Sequence, residues 1–374
     1  MAEFLYIHIP FCVKKCVYCD FLSVPYDEAI ACQYTDALCK ELQMKKGLAG
    51  RLKTVFVGGG TPSVLTDKCL DQILASVADN YNLVGNVEIT VEANPGTLTK
   101  AKVRTLLSRG VNRLSLGIQS FDNSELRTLG RIHDAETAIK SAEMVRSAGM
   151  ENFSLDLIYG IPGQTMKTWK HSLDQAILLS PRHISAYELT PEQETPLKRS
   201  LDSGEIKMPE EDLILDMSDL TIDRLAASGY GQYEISNYAQ PGYRCAHNMN
   251  YWDRGDYLAV GAGAHGFIRG FRTKNTSGIA EYLERLGNNS DPEVEKTGIT
   301  SEDALKEFVF LGLRKVEGIR LIDALKFGLD LVAGSDELLQ SELVELTASH
   351  IRLTRKGQHI ANTVIVRLLQ NLGL

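Results

Sequence analysis

Six times within its first 230 residues the chain repeats one unit: a short β-branched or apolar run, a turn rich in Gly, Pro or Asn, then a longer stretch with helical spacing. The spacing predicts strands over Glu3–Ile9, Lys53–Val57, Val87–Glu92, Arg113–Ile118, Phe153–Ile158 and His183–Leu189. Between and after them it predicts helices over Asp27–Lys46, Thr66–Asn80, Thr99–Arg109, Asp134–Ala148, Lys167–Leu178 and Glu210–Ala227. Several helices open on a capping residue, such as Thr66 before "DKCLDQ" and Thr99 before "KAKVRTLL". Few architectures satisfy such alternation. Each helix crosses back over the sheet, so the strands run parallel with the helices outside. Six units fit an incomplete (β/α)6 barrel better than the full eight, which makes the fold class α/β.

In parallel barrels the chemistry gathers where strands end in loops. Here those ends read "HIPFC", "GGGTP", "EANPGT", "GIQSF", "DLIYGIPGQ" and "ELTPE", unusually rich in glycine and polar groups. Beyond about Tyr230 the rhythm changes. The reading divides the chain into a partial barrel over 1–230, a connecting region over 231–276 dense in Gly, Tyr and Asn, and a smaller C-terminal domain over 277–374. That last part is mainly helical and ends in "IRLTRKGQHIANTVIVRLL", a short wing and helix of winged-helix appearance, which by itself implies no DNA binding.

Forty basic against 48 acidic residues give a net charge of −8, with the basic residues scattered, which argues against a nucleic-acid partner. No run approaches the ~20 apolar residues of a membrane span, and "MAEFLYIHIPF" is too short for a signal sequence with its cleavage site. A cytoplasmic protein with at most peripheral membrane contact is expected. Seven cysteines, an odd number and mostly unclustered, do not read as a disulfide framework.

Three of them stand together in "CVKKCVYCDF", residues 12–21. Thiolate is a soft ligand suited to zinc or to iron–sulfur clusters. Structural zinc needs four protein ligands, and Cys12, Cys16 and Cys19 supply three. Three cysteines can instead hold three irons of a [4Fe–4S] cluster and leave the fourth iron open to a small molecule. Cys32 and Cys39, seven apart on the first helix, share a face and are expected in the core with Cys69.

"YIHIPFCVKKCVYCDF", followed in order by "VFVGGGTPS", "VEANPGT", "RLSLGIQSF", "LGRIHD" and "LDLIYGIPGQT", resembles the radical S-adenosylmethionine superfamily, and within it the oxygen-independent coproporphyrinogen oxidase branch. The resemblance implies that Cys12, Cys16 and Cys19 ligate the cluster and that S-adenosylmethionine chelates the open iron. It further implies that Gly59, Gly60 and Thr61 admit the methionyl portion, and that Glu92, Gln119, Arg131 and Asp156 contact the same cofactor. Tyr6 and Tyr18 stand where the family places aromatics beside the cluster and adenosyl group. Reductive cleavage of the sulfonium is the chemistry this cofactor pair supplies.

Two features depart from the oxidases. They continue the loop as CxxxCxxCxC, where this chain has Asp20 and Phe21, and they carry an arm ahead of the first strand. Both departures weigh against porphyrinogen decarboxylation. The third discriminating feature is "HNMNYW", residues 247–252, with an imidazole that can ligate haem iron and two aromatics that can cover a porphyrin face. It resembles the signature of the haem chaperones related to these oxidases. On that resemblance His247 is a candidate haem ligand, haem is cargo, and the recipients are apo-haemoproteins such as respiratory enzymes at the inner face of the membrane. The cluster then supports a homodimer or gates transfer, and no catalytic residue is assigned. The alternative is an oxygen-independent coproporphyrinogen III dehydrogenase; a weaker third is a radical enzyme that opens or methylates haem. Cys245 is read as structural, and His265 as a lesser ligand candidate.

Overall fold

The computed structural model describes all 374 residues. Its frame is set by β1 (Ala2–Ile9), β2 (Ala49–Gly59), β3 (Leu83–Ala93), β4 (Arg113–Gln119), β5 (Phe153–Tyr159) and β6 (His183–Glu188), hydrogen-bonded in that order and all parallel. Each lies where the hydrophobic pattern predicts a strand. The crossover helices α1 (Glu28–Lys45), α2 (Asp67–Asn80), α3 (Lys100–Ser108), α4 (Ala135–Ser147), α5 (Met166–Leu178) and α6 (Glu211–Ala227) also fall where expected. Thr66 and Thr99 do cap α2 and α3, each hydroxyl accepting from a backbone N–H three residues on.

The strands alternate in a way that separates two environments. In β1, Leu5, Ile7 and Ile9 are fully buried in the large apolar core shared with the helices, while Tyr6 and His8 between them point to the concave face. The same holds for Thr54, Phe56 and Gly58 in β2, for Glu88, Thr90 and Glu92 in β3, and for Ser115 and Gly117 in β4. A parallel sheet covered on both faces reads as continuous hydrophobic residues. This one has a polar lumen.

The sheet does not close. β7 (Gly231–Glu234) and β8 (Asn237–Ala239) form an antiparallel hairpin on the β6 edge, and β9 (Leu258–Val260) pairs parallel with β1 on the other, giving nine strands. The segment after β9 is tied down by a buried carboxylate: Glu41 in α1 accepts from Gly261 N at 2.8 Å, Asn275 Nδ2 at 2.7 Å and Tyr282 Oη at 2.6 Å, and pairs with Lys45 at 2.8 Å.

The short helix α7 (Ala246–Trp252) sits at the N-terminal mouth of the barrel. Glu88 holds it there, its carboxylate accepting from the backbone N–H of Ala246 and His247, both at 3.1 Å. The C-terminal part has its own core and combines α8 (Ser301–Gly312), α9 (Leu321–Lys326) and α10 (Ala361–Asn371) with a three-stranded sheet of β10 (Ile319–Arg320), β11 (Val344–Leu346) and β12 (His350–Leu353). This is the mainly helical, winged-helix-like domain expected.

One expectation about the core fails. Cys32 is exposed, and Cys39 is only half-buried. The buried stripe of α1 runs through Ala31, Tyr34, Leu38 and Leu42, so the shared face of the two cysteines looks sideways at α2, where Cys32 Sγ lies 3.6 Å from buried Cys69.

Candidate functional site

The loop after β1 turns back across the C-terminal mouth of the barrel and is clipped in place by backbone hydrogen bonds. Gly60 N donates to Ile9 O at 2.8 Å and Thr61 N to Phe11 O at 2.7 Å on one side; Leu197 N donates to Val17 O at 2.9 Å on the other. The close approach at residues 59 and 60 is possible only without side chains. A Cβ on Gly60 would stand 2.7 Å from Phe11 O and 2.9 Å from Ile9 O, and Gly59, with φ of +109°, would put one into the His8 ring. Gly60→Ala is therefore expected to keep the fold but shift the loop, weakening S-adenosylmethionine binding about tenfold or more, the equivalent of roughly 1–3 kcal/mol of overpacking. Equilibrium binding to the reconstituted protein reads this; unchanged affinity would mean that the cofactor does not use this cradle.

Cys12, Cys16 and Cys19 line one cavity of about 500 Å³ together with Tyr18, Gly59, Gly60, Thr61, Glu92, Gln119, Arg131 and Asp156. Of the residues expected at the site, the fold thus gathers all but Tyr6 and His247. All three thiols line the cavity, and they are not gathered as the ligands of a single metal ion would be. Thr61 Oγ1 is 3.4 Å from Cys12 Sγ and accepts from Asn94 Nδ2 at 2.8 Å, which leaves its proton for the sulfur. Arg131 donates to Cys16 Sγ at 3.3 Å, to Asn94 Oδ1 at 2.5 Å and to Gly117 O at 2.7 Å. Those partners are a thiol, an amide and a carbonyl, and its Nε is buried with no partner at all.

The acids across the cavity are equally short of charge partners. Glu92 accepts from Gly59 N at 3.1 Å, and burial, then the neighbouring Asp156 charge, pushes its carboxyl up to about 8. Asp156 accepts from Ser115 Oγ at 3.0 and 2.9 Å and from Ser154 Oγ at 3.2 Å, and burial raises it too. A buried guanidinium with no carboxylate partner, facing two buried carboxyls that make no direct ion pair and of which only Asp156 feels a cation, Arg113, at longer range, suits a ligand that carries both signs. S-Adenosylmethionine, with its carboxylate, ammonium and sulfonium, is such a ligand, so these residues fit that cofactor, and the three thiols that line the same cavity fit the cluster. Gln119 reaches the wall through strain: its φ is +70°, beside a register shift in the β4–β5 ladder.

Tyr6 lies one layer deeper. Its hydroxyl donates to His8 Nδ1 at 2.9 Å, and His8 Nε2–H donates to Leu22 O at 3.1 Å, linking the barrel interior to the cysteine loop. His247 is farther still. It stacks on Phe56 with centroids 5.1 Å apart, and both ring nitrogens are engaged, Nδ1 with Thr54 Oγ1 at 2.6 Å and Nε2 with Tyr251 Oη at 2.9 Å. Thr54 and Gly59 are five strand residues apart, so His247 sits roughly 16 Å from the cysteine end of the barrel. In this arrangement neither nitrogen is free for iron; the ring braces α7. Cys245 is buried, and burial pushes its thiol up to about 12. His265 is exposed on a strand paired with Lys274. Reading the sequence did not single out His8, Asn94 or Ser115, although the alternation of polar residues along β1, β3 and β4 carried the signal.

The family model of the radical SAM superfamily matches residues 6–176, and that of the HemN C-terminal domain matches residues 299–360. Coproporphyrinogen III oxidase HemN from Escherichia coli, described as a radical SAM enzyme, has the same fold, with a TM-score of 0.83 at 23% identity, covering 97% of this chain and 89% of that one. Fold and site together define a radical SAM protein with a HemN-type C-terminal domain, a class that implies a [4Fe–4S] cluster and S-adenosylmethionine. The heme chaperone HemW of Lactococcus lactis is 35% identical over 369 residues, covering 97% of this chain and 96% of the relative. Those of Bacillus subtilis and Escherichia coli are each 36% identical, over 98% and 96% of this chain and 99% and 96% of their own. The chain belongs to the HemW family.

Proposed function

We propose that this protein is a haem chaperone: it binds haem and passes it to apo-haemoproteins such as respiratory enzymes, while keeping a cluster and an S-adenosylmethionine site. The observation that carries this reading is the relation to proteins named heme chaperone over nearly the full length of both chains. The loop supports it, since Phe21 occupies the position of the oxidases' additional cysteine and is exposed at the cavity wall. Cys12, Cys16 and Cys19 would hold the cluster. Arg131 would take the carboxylate of S-adenosylmethionine, with Glu92 and Asp156 receiving its cationic or hydroxyl groups and Tyr18 and Gln119 bounding it. No helix is long and apolar enough to cross a membrane, so delivery to membrane enzymes would proceed by peripheral contact. The homodimer belongs to this same reading.

The intact two-signed cavity favours a second reading, in which the protein turns over as a coproporphyrinogen III dehydrogenase. Cluster-reconstituted protein, reductant, S-adenosylmethionine and coproporphyrinogen III, incubated anaerobically beside a competent oxidase, separate the two. The expected result is no protoporphyrinogen from this protein, with haem passed to an apo-haemoprotein instead. Multiple turnovers to protoporphyrinogen would make it an enzyme.

A further inference from the structure

Beyond the C-terminal end of α7 a second cavity, of about 820 Å³, opens between Trp252 and the C-terminal domain. Its size is that of a cofactor site, and it does not overlap the cysteine cavity. Flat apolar surface comes from Trp252, Phe308 and Phe327; the two phenylalanine rings have centroids 5.0 Å apart. Phe327 is 56% exposed, and the α9 residues Ile322 and Leu325 add further exposed apolar surface nearby. Trp252 Nε1 is buried without a partner. Two cations on the wall, Arg320 and Lys326, share the carboxylate of Asp323 at 3.7 and 2.7 Å; with Arg254 and Lys315 set against Asp253 and Glu317, the whole lining carries four cations and three carboxylates, so one positive charge is left over for a ligand. His350 lines the same wall: its Nδ1 is fixed by Ser349 Oγ at 2.8 Å, and its Nε2 makes no hydrogen bond within the chain. An imidazole with one nitrogen anchored and the other open is the arrangement found at metal ligands.

We propose that this cavity is the seat of the haem cargo, with His350 as an axial ligand, Phe308, Phe327 and Trp252 against the porphyrin, and Arg320 and Lys326 paired with its propionates. This rests on the chaperone reading and deepens it: a planar, apolar dicarboxylate with a metal at its centre matches aromatic walls, a surplus positive charge and a free imidazole together. The inference also gives "HNMNYW" a divided role, in which His247 braces the helix from inside the barrel and Trp252 at its far end meets the ligand.

The test is titration of the full chain with ferric protoporphyrin IX, followed by the Soret band, for wild type, His350→Ala and the double variant Arg320→Glu/Lys326→Glu. His350 pairs with Arg320 through its backbone, so alanine keeps that ladder, and an unchanged iron–sulfur content checks the rest of the fold. We expect His350→Ala to shift the Soret maximum and weaken binding at least about tenfold, the scale on which loss of a partner one shell farther out already weakens a metal site. The charge-reversed variant should weaken binding of haem but not of its dimethyl ester. Wild-type titration in both variants would place the haem elsewhere and overturn this inference while leaving the chaperone reading standing. A wild-type chain that binds no haem would overturn the chaperone reading itself.

Discussion

Cys16→Ser is expected to abolish the cluster: iron content should fall from about four per chain to below about one, and the visible absorbance should vanish with it, because two thiolates and a hard hydroxyl do not hold a soft iron–sulfur core. The fold should survive. The loop is fastened by backbone bonds to residues 60, 61 and 197, which serine leaves intact, and the large apolar core lies on the other face of the sheet. Arg131 would lose its sulfur partner and keep Asn94 and Gly117. Iron assay, absorbance and far-UV circular dichroism of anaerobically reconstituted protein read all of this. A variant with a full cluster would sink the assignment of Cys16 as a ligand.

The second large effect concerns acid. Burial lowers the His247 imidazole to about 3 from an ordinary value near 6.5. The unfolded chain therefore takes up a proton below pH ~6.5 that the folded chain refuses until pH ~3. Stability is fully present above 6.5 and drains away as pH falls through that window. At about 1.4 kcal/mol per pH unit, the loss by pH 4 is ~3 kcal/mol from this one residue. His183, held well below its ordinary value by burial and by Arg113, and His133, lowered to about 4, add to the same slope. His247→Gln isolates the contribution: denaturant unfolding at pH 7.5 and pH 4 should show a drop about 3 kcal/mol smaller in the variant than in wild type. Equal drops would mean that the ring is hydrated and that α7 does not seal the barrel mouth.

Much of this was readable before any coordinates, and for a local reason. Strand and helix positions follow from hydrophobic period and from capping residues such as Thr66 and Thr99, which act within a few positions along the chain. The glycine and polar residues of the site stand out because they follow strands directly, and a parallel fold carries all such ends to one side. "CVKKCVYCDF" and "VFVGGGTPS" are separated by about 30 residues yet must meet, since β1 and β2 are neighbours. The alternation of polar residues that marks His8, Asn94 and Ser115 was equally local, though it is less conspicuous than a motif.

The sequence by itself determined the barrel strands, the crossover helices, the cysteine loop and most of the cavity wall. Tertiary structure alone decided which way a face looks and what it meets. Heptad spacing put Cys32 and Cys39 on one side of α1, but only the packing of α1 on the sheet shows that this side faces α2 and solvent. The signature "HNMNYW" announces chemistry wherever it lies; the capping of α7 by Glu88, a residue 158 positions away from Ala246, carries its histidine to the barrel's far mouth and leaves its tryptophan on another cavity. Contacts between residues that distant are chosen by the competition among whole surfaces for burial, and no short stretch of sequence contains that competition.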